Sequence, residues 1–294
     1  MTTNERSGFF LSGAGLVWRR QRVLWWAFII NLVLAGYAAR GLTARVGPVL
    51  DHSLASARLL VHSFHFAALL GLEDLPGHYL QMGPTHFYFS VIFFFFMLLA
   101  TGGILESYWR DATLSTAEFF QSGGTYFWRF FRMVLFFVIA LIPVGLIAWG
   151  LDAAADKIGD ASVSPYVWAW IEGAMILLVC VLLMMIRLWF DMAEVIAVAE
   201  SEVRSRRCLR RACTLLRRNF GTLFWLYFRV TLVAWVVVLA GLHVWVQHLH
   251  HDSILPAFIL GQLIILLCMG ARFWQRASET LWYRDHLARD VNHA

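Results

Sequence analysis

Charge is scarce in this sequence. Only 15% of its 294 residues are Asp, Glu, Lys or Arg, against roughly 25% in an ordinary soluble domain. Recognisable chemistry is missing as well. There is no phosphate-binding glycine loop, no serine nucleophile elbow, no dinucleotide fingerprint and no carboxylate–histidine motif of the zinc hydrolases. These absences argue against an enzyme. Short alternating segments, the mark of a membrane β-barrel, are also missing. None of the four cysteines falls in a predicted outer loop. Cys180 and Cys268 sit inside apolar runs and Cys208 and Cys213 in a basic segment, so no disulfide is expected.

What the chain has in abundance is apolar residues, 60% of the total. They gather in continuous runs of 17 or more residues, long enough to cross a bilayer as helices. Backbone polar groups must be paired inside lipid, which leaves helices once a barrel is excluded. The sequence therefore predicts an all-α polytopic membrane protein, a single membrane domain over 1–294. Its six spans are placed at about Val23–Ala39, Phe87–Ser107, Phe130–Leu151, Tyr166–Arg187 (extending toward Ala199), Leu223–His248 and Ile254–Arg272. The first is expected to be a retained helix rather than a cleaved signal peptide, because a long charged region precedes a 17-residue run.

Basic residues set the orientation. They crowd the segment before the first span, the elbows at 108–129 and 200–221, and the tail after the last span. The remaining loops hold few, and Lys157 there is offset by Asp152, Asp156 and Asp160. Both termini are thus predicted to be cytoplasmic. The net charge of +5 suits anionic lipid head groups at the inner leaflet rather than nucleic acid.

One phrase occurs twice. TYFWRFFR (125–132) and TLFWLYFR (222–229) share five of eight residues, 97 positions apart. Each opens an outward-running span and follows a charged segment that begins with Glu-Ser, Glu106-Ser107 or Glu200-Ser201. The N-terminus offers a third version: FFLSGAGLVWRRQR (9–22) matches FFQSGGTYFWRFFR (119–132) at Phe9/Phe119, Gly13/Gly123 and Trp18/Trp128, among others. The front half of that third unit is SETLWYRD (278–285), similar to ESYWRD (106–111). Together these predict a three-fold direct repeat of helix hairpins in which the sixth and first spans pair. Trp128/Arg132 and Trp225/Arg229 lie four apart on one helical face, where Trp sits at the interface and Arg reaches phosphates. Arg132 and Arg229 are candidates for an anionic-ligand or head-group site.

The elbow RSRRCLRRACTLLRRN (204–219) places Cys208, Leu209, Ala212, Cys213, Leu215 and Leu216 on one helical face and arginines on the rest. Such a helix lies on the inner leaflet, and Arg210 and Arg211 join the candidate lipid contacts. The elbow at 111–120 carries a predicted capping box, Ser115 to Glu118. The outer insert, 40–85, breaks the repeat. It is expected to hold one or two interfacial helices and, with the basic elbow, to offer a surface for a protein partner.

Isolated polar residues complete the list. Glu172, near the start of the fourth span, is a candidate for ion or proton coupling. Arg187 and Asp191 stand at i,i+4, and with Glu194 they suggest an ion pair at the helix end. Asn31 and Gln262 are placed to hydrogen-bond if spans one and six pair. No metal site and no cofactor are expected. The residues nearest to offering a metal site are the outer-face histidines His62, His65, His248, His250 and His251.

The stretch DMAEVIAVAESEVRSRRCLRRACTLLRRNFGTLF (191–224) resembles a known family. It combines a span running into a charged elbow with Arg-Ala, Leu-Leu and Asn-Phe before the next span. This pattern is similar to the six-helix membrane domain fused to some bacterial glycerophosphodiester phosphodiesterases, and to related uncharacterised bacterial integral membrane proteins. The resemblance implies the fold and a bacterial inner membrane. The catalytic barrel of the fused enzymes has no counterpart in this sequence, so no catalytic residue carries over. The functional expectation is a non-enzymatic membrane subunit or scaffold that anchors or assembles partner proteins. The alternative is a lipid or small-solute transport component with a site between the repeats.

Overall fold

The computed structural model describes residues 3–51, 84–161, 165–248 and 254–293. Among them regular structure is entirely helical: α1 (Thr3–Arg19), α2 (Arg22–Asp51), α3 (Pro84–Arg110), α4 (Thr116–Ala161), α5 (Pro165–Ala199), α6 (Ser205–Arg218), α7 (Phe220–His248) and α8 (Ile254–His293). Six of these, all but α1 and α6, contain stretches long and apolar enough to cross a membrane. Each stretch overlaps one predicted span. The predicted helices of the outer insert beyond Asp51 lie outside the described residues.

Two predicted boundaries change. The elbow at 108–129 is not a separate element. α3 ends at Arg110, Asp111 takes a left-handed backbone with φ 49°, and α4 then runs unbroken from Thr116 through the elbow and past Pro143. The predicted capping box starts it. The Ser115 amide donates to Glu118 Oε2 at 2.7 Å and the Glu118 amide donates to Ser115 Oγ at 3.3 Å, which satisfies two amides of the first turn. Gly123, inside this helix, is a point of close helix approach. A Cβ there would come within 2.5 Å of the Leu99 carbonyl oxygen of α3. α8 likewise runs on past Arg272 for another five turns or so.

The second elbow is a helix of its own. Ser201, also left-handed at φ 49°, terminates α5. α6 then ends at Asn219, whose amide donates to the Leu215 carbonyl at 3.0 Å. Asn219 also starts α7, since its carbonyl accepts from Thr222 and Leu223, each at 3.1 Å. One residue stops one helix and begins the next.

The chain gathers into two compact units, one of Met1–Gly13, Leu99–Phe228 and Arg276–Ala294, the other of Ala14–Leu98 and Arg229–Gln275. In the first, α4, α5 and α6 pack together. Phe137 of α4 meets Phe190 of α5 edge to face at 5.2 Å. Gly103 of α3 leaves room for the buried Phe119 ring of α4. Within the same unit, Gly13 of α1 lies against Ser278 of α8. In the second unit Gly241 of α7 receives the Ile264 side chain of α8, and Leu24 of α2 lies over Gly270 of α8. Tyr37 of α2 stacks with Phe89 of α3 at 6.1 Å. Small residues at helix crossings are expected where lipid removes the hydrophobic incentive to associate and close backbone approach must supply it.

The predicted hydrogen bond between Asn31 and Gln262 is not formed. Gln262 Oε1 is buried with no partner among the described residues.

Candidate functional site

The amphipathic pattern of α6 is met in space. Ser205, Cys208, Leu209 and Ala212 are buried, and Leu215 and Leu216 are half-buried. Cys213, predicted on this face, is exposed instead. It lies one residue past Ala212, which turns it about 100° off the buried stripe. Two polar bonds fix the helix. Trp189 Nε1 of α5 donates to the Leu209 carbonyl at 2.8 Å. Ser205 Oγ donates to the Arg129 carbonyl of α4 at 3.2 Å.

Where α6 meets α4 a groove opens, with a volume of about 720 Å³. Its floor on α4 is Arg132, Leu135, Phe136 and Ile139, and α6 and its N-cap supply Arg204, Ser205, Arg206, Arg207 and Arg210. The four α4 residues stand at i, i+3, i+4 and i+7, which is one helical face. The groove therefore combines a cationic lining with an apolar strip on α4. Five guanidinium groups line it and no carboxylate does.

The five arginines are engaged to different degrees. Arg207 Nη1 is held by Glu202 at 2.9 Å. That hydrogen bond, with further help from the Arg204 amide, lowers the Glu202 carboxyl below the usual carboxylate range. Arg206 lies over the Phe136 ring, 5.8 Å from its centroid. Arg132 and Arg210 make no ion pair among the described residues. Beneath the helix, burial pushes the Cys208 thiol up to about 11.

The remaining predicted residues distribute as follows. Arg211 is spent on Glu200, with which it forms an ion pair, and is not part of the groove. Trp128 is 65% exposed and Trp225 44% exposed. Arg229 is half-buried and is not among the residues that line the groove. Glu172 lies near the start of α5, roughly 40 Å of helix rise from Ala199 at its other end, and is also outside the groove. His62, His65, His250 and His251 lie outside the described residues, as does the side chain of His248.

A second polar assembly escaped the sequence reading. In the first unit Arg276 of α8, nearly buried, donates from Nη1 to Thr101 Oγ1 of α3 at 2.9 Å and from Nη2 to Glu194 Oε2 of α5 at 3.1 Å. Tyr126 Oη of α4 donates to Glu106 Oε2 of α3 at 3.2 Å, and Tyr283 Oη of α8 donates to Glu200 Oε1 of α5 at 2.8 Å. The i,i+4 pairing predicted for Arg187 is not made. Arg187 is exposed and has no ion pair among the described residues, while Glu194 turns to Arg276. The hint in the sequence was that apolar residues keep helical spacing past Arg272, at Phe273, Ala277, Leu281 and Trp282. That pattern marks a helix that goes on packing.

Compared with protein-family models, curated proteins and solved structures, the chain matches none.

Proposed function

We propose that this chain is a non-enzymatic integral protein of a bacterial inner membrane, with both termini cytoplasmic, that serves as a subunit or scaffold and seats an anionic lipid head group between α4 and α6. One observation carries this reading. The groove joins a cluster of guanidiniums to an apolar strip along a single helix face. Arginine binds phosphate oxygens through its planar fork, and Leu135, Phe136 and Ile139 continue that face in the direction an acyl chain would take. The strip leads on to exposed Ile142 and Leu146. Trp128, exposed one turn before Arg132, suits an interfacial level for this end of α4. The resemblance to the phosphodiesterase-fused membrane domain agrees with this placement, and the partner surfaces proposed are 40–85 and the outer face of α6.

The transport alternative now rests on the groove alone, because Glu172 and Arg229 do not line it. Native mass spectrometry of the protein released from its own membrane tests the main reading. One anionic phospholipid retained per chain, with a stoichiometric protein partner, is the expected spectrum. A lipid-free chain with no partner would count against both parts.

A further inference from the structure

We infer that the groove selects a lipid head group with two negative charges, either a phosphomonoester or two linked phosphodiesters, over one with a single phosphodiester. This rests on the head-group reading above and names its ligand class.

Charge balance is the first argument. Among the described residues no carboxylate lines the groove, and of its five arginines only Arg207 has a carboxylate partner, Glu202 at 2.9 Å. Arg132 and Arg210 have no ion pair among the described residues, and Arg206 faces only a ring. Arg204 lines the groove as well, so four exposed cations have no ion pair among the described residues, and a single phosphodiester would leave three of them uncompensated. A second negative charge lowers that excess from three to two. The second argument is the start of α6. Its N-cap, Arg204, provides no side-chain cap for the first-turn amides, and Ser205 and Arg206 line the groove. The Arg207 amide donates to the Arg204 carbonyl at 2.9 Å and the Arg204 amide to Glu202 Oε1 at 3.3 Å, which leaves the Ser205 and Arg206 amides, with the helix dipole, to favour an anion at that end. Size is the third. A cavity of about 720 Å³ is far more than one phosphate group fills and falls in the range of ordinary ligand sites. The apolar strip at i+3, i+4 and i+7 from Arg132 argues that the charges arrive on a lipid and not on a soluble anion.

The test is native mass spectrometry of the delipidated full chain offered equal amounts of phosphatidylglycerol, phosphatidic acid and diphosphatidylglycerol. Retention of the latter two should exceed phosphatidylglycerol by about tenfold, the equivalent of one added charge-assisted hydrogen bond. The double variant Arg132→Gln/Arg210→Gln should erase that preference, and Arg217→Gln, an exposed arginine outside the groove, should keep it. Glu202→Gln provides an independent arm should the double variant not fold: it releases Arg207 into the groove and should increase retention of the doubly charged lipids. Equal retention of all three lipids, still reduced by the double variant, would overturn the two-charge inference and leave the head-group site standing. Retention indifferent to the double variant would overturn both. Displacement of the lipids by inorganic phosphate at comparable concentration would make the site one for a soluble anion and overturn the lipid assignment.

Discussion

Cys208 and Cys213 report on α6 at the level of single atoms. Cys208 is fully buried and its thiol is held up to about 11 by desolvation, so at pH 8 almost none of it is thiolate. Cys213 is exposed. A water-soluble maleimide should modify Cys213 within minutes and leave Cys208 untouched until the protein is denatured. Equal labelling would mean that α6 is not docked. The Glu202–Arg207 pair predicts a pH response of definite sign. The folded carboxyl lies below its ordinary value, so whatever the pair contributes is complete above the unfolded pKa and is lost as pH falls through the folded one. No change from this pair is therefore expected between pH 6 and 8. Lipid retention should rise only under acid conditions, when protonated Glu202 releases Arg207. Gln262 carries a buried oxygen without a partner among the described residues, a state that costs about 1–3 kcal/mol. Gln262→Leu should leave thermal stability in detergent unchanged or raise it, and a drop of several degrees would show that the amide has a partner after all.

Helix contacts make the second scale. Gly123 is where α4 meets the α3 backbone, and the obstacle is a carbonyl oxygen, which cannot swing aside as a side chain can. Gly123→Leu should cost at least the 1–3 kcal/mol or so of ordinary overpacking and lower the melting temperature clearly. Gly124→Leu, with open space around its Cβ position, should not. The contrast between these neighbours shows what a sequence can and cannot reveal. The spans, the capping box at Ser115 and Glu118, and the buried stripe of α6 were legible because each depends on residues within a few turns of one another. The groove was half legible. Arg132 and Arg210 stood out as arginines on helical faces, but nothing local indicated that Arg204, Arg206 and Arg207 would join Arg132, because a whole helix hairpin separates them. Arg211 and Arg210 look alike in sequence. Only the packed structure gives one of them to Glu200 and leaves the other in the groove. The close approach at Gly123 was hidden for the same reason, since the Leu99 backbone it meets belongs to α3.

For the molecule as a whole, the polar assembly around Arg276 ties three helices, α3, α5 and α8, within one unit. Removing one partner of a nearly buried pair strands the other charge, at a cost of about 3–5 kcal/mol. Arg276→Met should therefore destabilise strongly, and Arg276→Met with Glu194→Gln should recover much of the loss, which thermal unfolding of the detergent-solubilised variants would measure. The three-fold repeat is a proposal at this scale. It is supported by the two glycines aligned in sequence, Gly13 and Gly123, since each makes a close approach to a helix of its own unit, Ser278 of α8 and Leu99 of α3. It is also supported by Leu24 over Gly270, a contact between the first and last spanning helices. The elbows depart from strict repetition, for α4 continues where α6 and α7 break at Asn219. The most direct measurement is a cryo-electron microscopy map of the chain in lipid nanodiscs containing phosphatidic acid. The account predicts head-group density contacting Arg132, Arg206 and Arg210, with an acyl tail along Leu135, Phe136 and Ile139. A well-resolved groove that is empty, or closed over by the arginines themselves, would contradict it.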